Sequence, residues 1–144
     1  MALKSIMAGL AASMLFVGAA SAAECSFSET AAAGERVSNQ CKGCHVFEAD
    51  RKSRPTGPNI HAVYGSTVGS VADFTRYSDA IKAANAKGVE WTEENLMEYL
   101  ADPKAFLAKV NGEDIRHSMF FSLRDENRRR EMVAYLRELK ACTN

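Results

Sequence analysis

The residues "CKGCH", positions 41–45, set two thiols three positions apart with an imidazole directly after the second. Three chemistries use such a set: half of a zinc site, a dithiol redox centre, or covalent attachment of a haem. A structural zinc site takes four ligands, commonly in paired sets. Here Cys25 and Cys142 stand alone, and His61 and His117 form no second pair. A thioredoxin-like dithiol needs a βαβ setting with a strand before the motif, whereas the residues before Cys41 read as helix. Haem attachment needs only what is present. Cys41 and Cys44 reach two vinyl groups, and His45 meets the iron from the same side.

The elements that would position this motif are helical. "CSFSETAAAGERVSNQCKGCH" predicts a helix, with Ser26 and Glu29 as a capping box and Ala33, Val37 and Cys41 on one face. Residues 46–70, rich in Gly, Pro, Ser and Asn, read as loops. Residues 77–87 suggest a short helix. "WTEENLMEYLADPKAFL" predicts another, opened by Thr92 and stopped at Asp102–Pro103, because a residue before proline disfavours the helical region. Residues 108–124 read as irregular. "DENRRREMVAYLRELKAC" is an amphipathic helix with Met132, Val133, Leu136 and Leu139 on one stripe. Strand-like alternation and repeats are not evident. The expectation is one small all-α domain whose long loops wrap a large flat ligand.

The first residues do not belong to that domain. Lys4, an apolar run and "ASA" before a cut after Ala22 read as a secretory signal, leaving 23–144 as the folded unit. Glu24 argues against lipidation of Cys25. Export takes the four cysteines into a compartment where thiols are oxidised, the periplasm. Of 18 basic residues only Lys4 leaves with the signal, so 17 remain against 18 acidic ones, a net of −1. That balance lacks the basic stripe nucleic acid would require.

Five segments in order, "AAGERVSNQCKGCH", "GPNIHAVYG", "KGVEW", "LMEYLADPKAFL" and "MVAYL", resemble the class I c-type cytochromes. Within that class the chain is most similar to the exported bacterial shuttle subgroup, the cytochrome c-two type. The likeness covers about residues 27–140. It implies crossed N- and C-terminal helices, with Gly34 at the crossing, and loops around one covalently bound haem c. It also implies thioether links at Cys41 and Cys44 and iron ligation by His45. Pro58, in "GPN", resembles the residue whose carbonyl accepts the free imidazole N–H. Met119, in "RHSMFFSL", resembles the second axial ligand; its soft neutral thioether favours Fe(II) and raises the potential. Met97 and Met132 read as core, and His117 is the rival ligand. Trp91 and Tyr77 resemble propionate partners, and Tyr99 the tyrosine beside the methionine sulfur. Phe74, Leu96, Phe106 and Leu123 would line the pocket. The arginine that the family often has after "GPN…G" is replaced here by neutral Ser66 and Thr67, which leaves propionate screening to Arg76 or to water.

The resemblance implies a one-electron carrier rather than an enzyme. Its partners would be membrane electron-transfer complexes: a quinol-oxidising complex, a terminal oxidase or a photosynthetic reaction centre. Docking would be transient and the protein monomeric. Lys42, Lys52, Lys104, Lys109 and Arg116 could form a partial basic ring at the docking edge. The alternative is a haem c enzyme or ligand-binding haem domain with an open or displaceable sixth position. In the family the terminal helices cross and pack, which would bring Cys25 and Cys142 together as a disulfide in an oxidising compartment.

Overall fold

The structure, a computed structural model, describes residues 25–142; the leader expected at 1–22 lies outside them. Among the described residues five helices follow one another: α1 (Glu29–Ser38), α2 (Asp79–Ala86), α3 (Glu93–Ala101), α4 (Pro103–Asn111) and α5 (Glu126–Leu139). Among the described residues the only strand-like pairings are isolated bridges, including Val46 with Asn59 and Thr67 with Glu90. The all-α expectation therefore holds, with loops supplying much of the chain.

The start of α1 is set by a distant partner. Ser28 Oγ accepts the Ala31 N–H at 3.2 Å, so Ser28, not the expected Ser26, is the N-cap. The same residue donates its hydroxyl to Glu138 Oε1 at 2.6 Å and its N–H to Glu138 Oε2 at 2.8 Å. Those bonds hold the Glu138 carboxyl below the usual carboxylate range. The helix also stops earlier than its sequence suggests. After Ser38 the chain descends through turns: Cys41 N–H donates to Ser38 O at 2.8 Å and His45 N–H to Cys41 O at 2.9 Å. The buried face is Ala31, Gly34, Val37 and Ser38, rather than the Ala33–Val37–Cys41 face. Contact with α5 selects it.

That contact is the main helix–helix packing of the molecule. A Cβ placed on Gly34 would lie 2.0 Å from the Glu131 carbonyl oxygen and 2.7 Å from Tyr135 Cβ. The two helices thus meet backbone to backbone, which only glycine permits at this position. Met132, Val133, Leu136 and Leu139 are all buried, as their stripe predicts. Tyr135 extends the contact sideways, with Phe27 at 5.1 Å and Phe47 at 5.9 Å between ring centroids. Outside the crossing, Cys25 and Cys142 are paired with Cα atoms 5.6 Å apart, within the span a disulfide requires.

The middle helices form a bent pair. Thr92 caps α3 by accepting the Asn95 N–H at 3.1 Å. Asp102, extended at φ −154°, ends α3 and caps α4 through the Ala105 N–H at 3.0 Å, with Pro103 in the first turn. Residues 108–111, expected to be irregular, continue α4 up to Gly112 at φ 81°. Lys87 sustains this end by donating to the carbonyls of Val110 and Asn111. Asn111 is buried and ties α4 to α2 through Ala80 O at 3.0 Å.

Gly34→Ala should force α1 and α5 apart. The expected loss is about 1–3 kcal/mol or more, the cost of overpacking, read as a lower urea midpoint for the holoprotein. Gly43→Ala, where a Cβ meets nothing within 4 Å, should leave the midpoint nearly unchanged. Equal midpoints for the two variants would show that the crossing tolerates a methyl group.

Candidate functional site

The loops and helices enclose an apolar cavity of about 460 Å³, within the range of small-molecule sites, roughly 300–1,000 Å³. Cys41, Cys44, His45, Pro58, Tyr77, Trp91, Tyr99 and Met119 all line it, although they come from six stretches of sequence. Among the described residues no Lys, Arg, Asp or Glu contributes to its wall.

His45 is held by its backbone neighbours. Its Nδ1 lies 2.9 Å from Pro58 O; a carbonyl can only accept, so Nδ1 carries the proton and Nε2 keeps its lone pair. Burial lowers the imidazole's proton affinity, and the Pro58 bond only partly opposes this. A neutral ring with a free Nε2 is the ligating form. Gly57 makes this approach possible: a Cβ there would lie 2.7 Å from His45 Cε1 and 2.9 Å from Cys44 O. The sequence marks Gly57–Pro58 as a turn, but the reason for the glycine lies in a ring twelve residues away.

Neither thiol of the motif is paired with another cysteine. Burial, then the neighbouring Cys44, push the Cys41 thiol up. That is the opposite of what a dithiol redox centre requires. No three His, Cys, Asp or Glu side chains converge to hold a metal ion among the described residues, so zinc lacks a ligand set. What the wall offers is two thiols, the neutral His45 imidazole with His117 as a second ring, the thioethers of Met119 and Met132, and apolar surface. This fits a covalently tethered haem.

The remaining wall is partly as expected. Phe74 and Leu96 line the cavity, whereas Phe106 and Leu123 stand behind it. Phe106 instead supports two wall rings, stacking on Trp91 at 6.0 Å and meeting Tyr99 edge-on at 5.8 Å. Trp91 and Tyr99 also touch, at 4.7 Å. Met132 is both the most buried methionine and a wall residue. His117 reaches the wall too, its ring 4.9 Å from Phe120. Ser66 and Thr67 line the cavity, and Arg76 is exposed away from it. His61 sits elsewhere, bonded through Nε2 to Cys142 O at 2.8 Å. Ser78 was not legible from sequence: it is buried, faces the cavity, and its Oγ has no partner among the described residues. Nothing in "RYSDA" separates such a hydroxyl from an ordinary helix cap.

The basic ring expected at the docking edge is weakened by pairing. Lys104 bonds Asp114 at 2.9 Å, Lys109 bonds Glu98 at 2.8 Å, and Arg116 lies 3.7 Å from Asp79. Phe120 and Phe121, at the cavity wall, are instead the exposed large apolar residues among those described, Phe120 by 80%.

Fold, motif and wall chemistry together define a small haem-binding protein of the c type. No protein-family model matches the chain. Cytochrome c2 of Rhodospirillum rubrum is 36% identical over 136 residues, covering 94% of this chain and 96% of that protein. The crystal structure of cytochrome c2 from Rhodobacter sphaeroides superposes with a TM-score of 0.70 at 36% identity, covering 78% of this chain and 96% of that one. Cytochrome c2 from Rhodospirillum centenum gives 0.70 at 35% identity, covering 79% and 98%. The chain belongs to the class I c-type cytochromes, in the cytochrome c2 family.

Gly57→Ala should displace the His45 ring. Losing a hydrogen bond of about 1–1.5 kcal/mol corresponds to roughly tenfold faster exchange of the Nδ1 proton, measurable by NMR. Unchanged exchange would mean that the Gly57 backbone can shift and keep the bond.

Proposed function

We propose that Cys41 and Cys44 carry the thioether links of one haem c and that His45 and Met119 are its axial ligands. Pro58 fixes the His45 tautomer, and Tyr77, Trp91 and Tyr99 provide polar atoms around the periphery. One observation supports this most: the imidazole pinned by Pro58 shares its cavity wall with both thiols and with Met119. The protein is a one-electron carrier and not an enzyme. Haem c is its cofactor, and when bound it supplies a reversible one-electron iron couple.

The chain's own residues do the rest. Cys41 and Cys44 would tether the haem, the neutral His45 imidazole and the Met119 thioether would hold its iron, and aromatic walls would keep water out. With both donors engaged the iron would offer no place to a substrate, which separates this reading from a haem enzyme or ligand-binding haem domain. Electrons pass to and from membrane electron-transfer complexes in general. The finer reading is that a quinol-oxidising complex donates and a terminal oxidase or photosynthetic reaction centre accepts. Docking is a small transient contact of a monomer, centred on Phe120 and Phe121, which are exposed at the cavity wall.

Met119→Leu in the holoprotein should abolish the iron–sulfur charge-transfer band and lower the reduction potential, since the soft donor is lost. A band that survives this change but disappears in Met132→Leu would assign the ligand to the other methionine of the wall.

The same reading places the mature protein, residues 23–144, in the periplasm after removal of 1–22. Oxidation there closes Cys25 to Cys142, 117 positions apart. Such a loop is worth about 4–5 kcal/mol in the chain-entropy account. Alkylation of the unreduced, denatured holoprotein should add no mass. Two added groups would show the thiols to be free.

A further inference from the structure

The segment between α4 and α5 carries Met119, and few bonds hold it. Ala80 N–H donates to Arg116 O at 3.2 Å, and Leu123 N–H donates to Leu100 O at 2.7 Å. Between these two points, residues 117–122 make no backbone–backbone hydrogen bond among the described residues. A ligand on such a stretch is only as well placed as its two ends.

The far end is closed by one side chain of α5. Arg129 Nη1 donates to Leu123 O at 2.8 Å and to Arg124 O at 2.7 Å. Its Nε is buried with no partner among the described residues, so part of the guanidinium is out of water. Carbonyl bonds from a desolvated cation are stronger than those at the surface. The flanking arginines differ: Arg128 and Arg130 are exposed, and Arg130 pairs with Glu126 along the helix.

We propose that Arg129 is a positioning residue for the sixth ligand. Its guanidinium clamps the carbonyls of Leu123 and Arg124, fixes the last turn of the segment against α5, and so holds Met119 against displacement. The charge alone would not suffice. One Nη1 gives a proton to each of two adjacent carbonyls, at a reach beyond glutamine's shorter stem. This inference rests on Met119 as the ligand.

The test is competition by added imidazole for the sixth position of the oxidised holoprotein, followed spectroscopically. Hydrogen bonds from a charged donor are worth about 1.5–3 kcal/mol, so Arg129→Gln should bind imidazole at least roughly tenfold more tightly. Arg129→Lys should fall between it and the unaltered protein, and the Leu123 amide should exchange faster in the same order. Arg128→Gln, which removes the same charge from an exposed site, should match the unaltered protein. An affinity of Arg129→Gln within twofold of the unaltered protein, or an equal rise in Arg128→Gln, would overturn the clamp. If Arg129→Gln does not accumulate with haem, Arg129→Lys decides by the same criterion. Absence of the iron–sulfur band in the unaltered protein would instead overturn the Met119 assignment. A band that is present with unchanged imidazole affinity in Arg129→Gln overturns the clamp alone.

Discussion

The approach of α1 to α5 at Gly34 is the constraint on which the site depends. The chain leaves α1 directly into the residues that carry Cys41, Cys44 and His45, and it enters α5 directly from the segment that carries Met119. Fixing the two helices backbone to backbone therefore fixes the starting points of both segments that carry the proposed ligands. A side chain at Gly34 would displace the Glu131 carbonyl, and any tilt at the crossing would be carried to both ends. The Ser28–Glu138 bonds and the Cys25–Cys142 pairing brace the same two helices from the other end.

Loops that line a cavity must satisfy their backbone groups without a sheet or helix. Here side chains do much of this work. Asn59 Nδ2 donates to Glu48 O and Arg51 O, at 2.8 and 2.6 Å, and closes the turn after His45. Ser53 donates to Asp73 through both its N–H and its hydroxyl at 2.7 Å, joining that turn to the segment before α2. Tyr77 OH accepts the Val71 N–H at 3.1 Å. Side chains thus tie the irregular chain between α1 and α2, which is how so few helices can surround so large a ligand.

Much of this was legible in the sequence where the signal is local. Thr92 and the Asp102–Pro103 step set their helix ends through side-chain and ring chemistry that acts within three residues. The α5 stripe and the five-residue motif were equally plain. The failures share one cause, a partner remote in sequence. Ser28 outcompetes Ser26 as a cap because Glu138 meets it, and Ala31 replaces Ala33 on the buried face because α5 lies on that side. Lys87, more than twenty positions away, satisfies the end of α4 beyond its expected limit. Phe106 was read as wall, yet Trp91 and Tyr99 come between it and the cavity. Periodicity identifies a buried face but not what the face is buried against.

The arrangement of charge follows from what a carrier must avoid. A unit charge about 10 Å from a redox centre, at an effective dielectric near 20, biases one oxidation state by about 1.7 kcal/mol. No Lys, Arg, Asp or Glu lies on the cavity wall among the described residues, and burial pushes both wall phenols, Tyr77 and Tyr99, up so that they stay neutral. Outside the wall, Lys104, Lys109 and Arg116 each face a carboxylate, which reduces their field at a distance to that of a dipole. With the proposed ligands, a neutral imidazole and a neutral thioether, the couple would be set chiefly by its nearest atoms rather than by surface groups that salt and pH would alter. Beside this wall Phe120 and Phe121 stay exposed, and a small apolar contact there would release a partner as readily as it receives one.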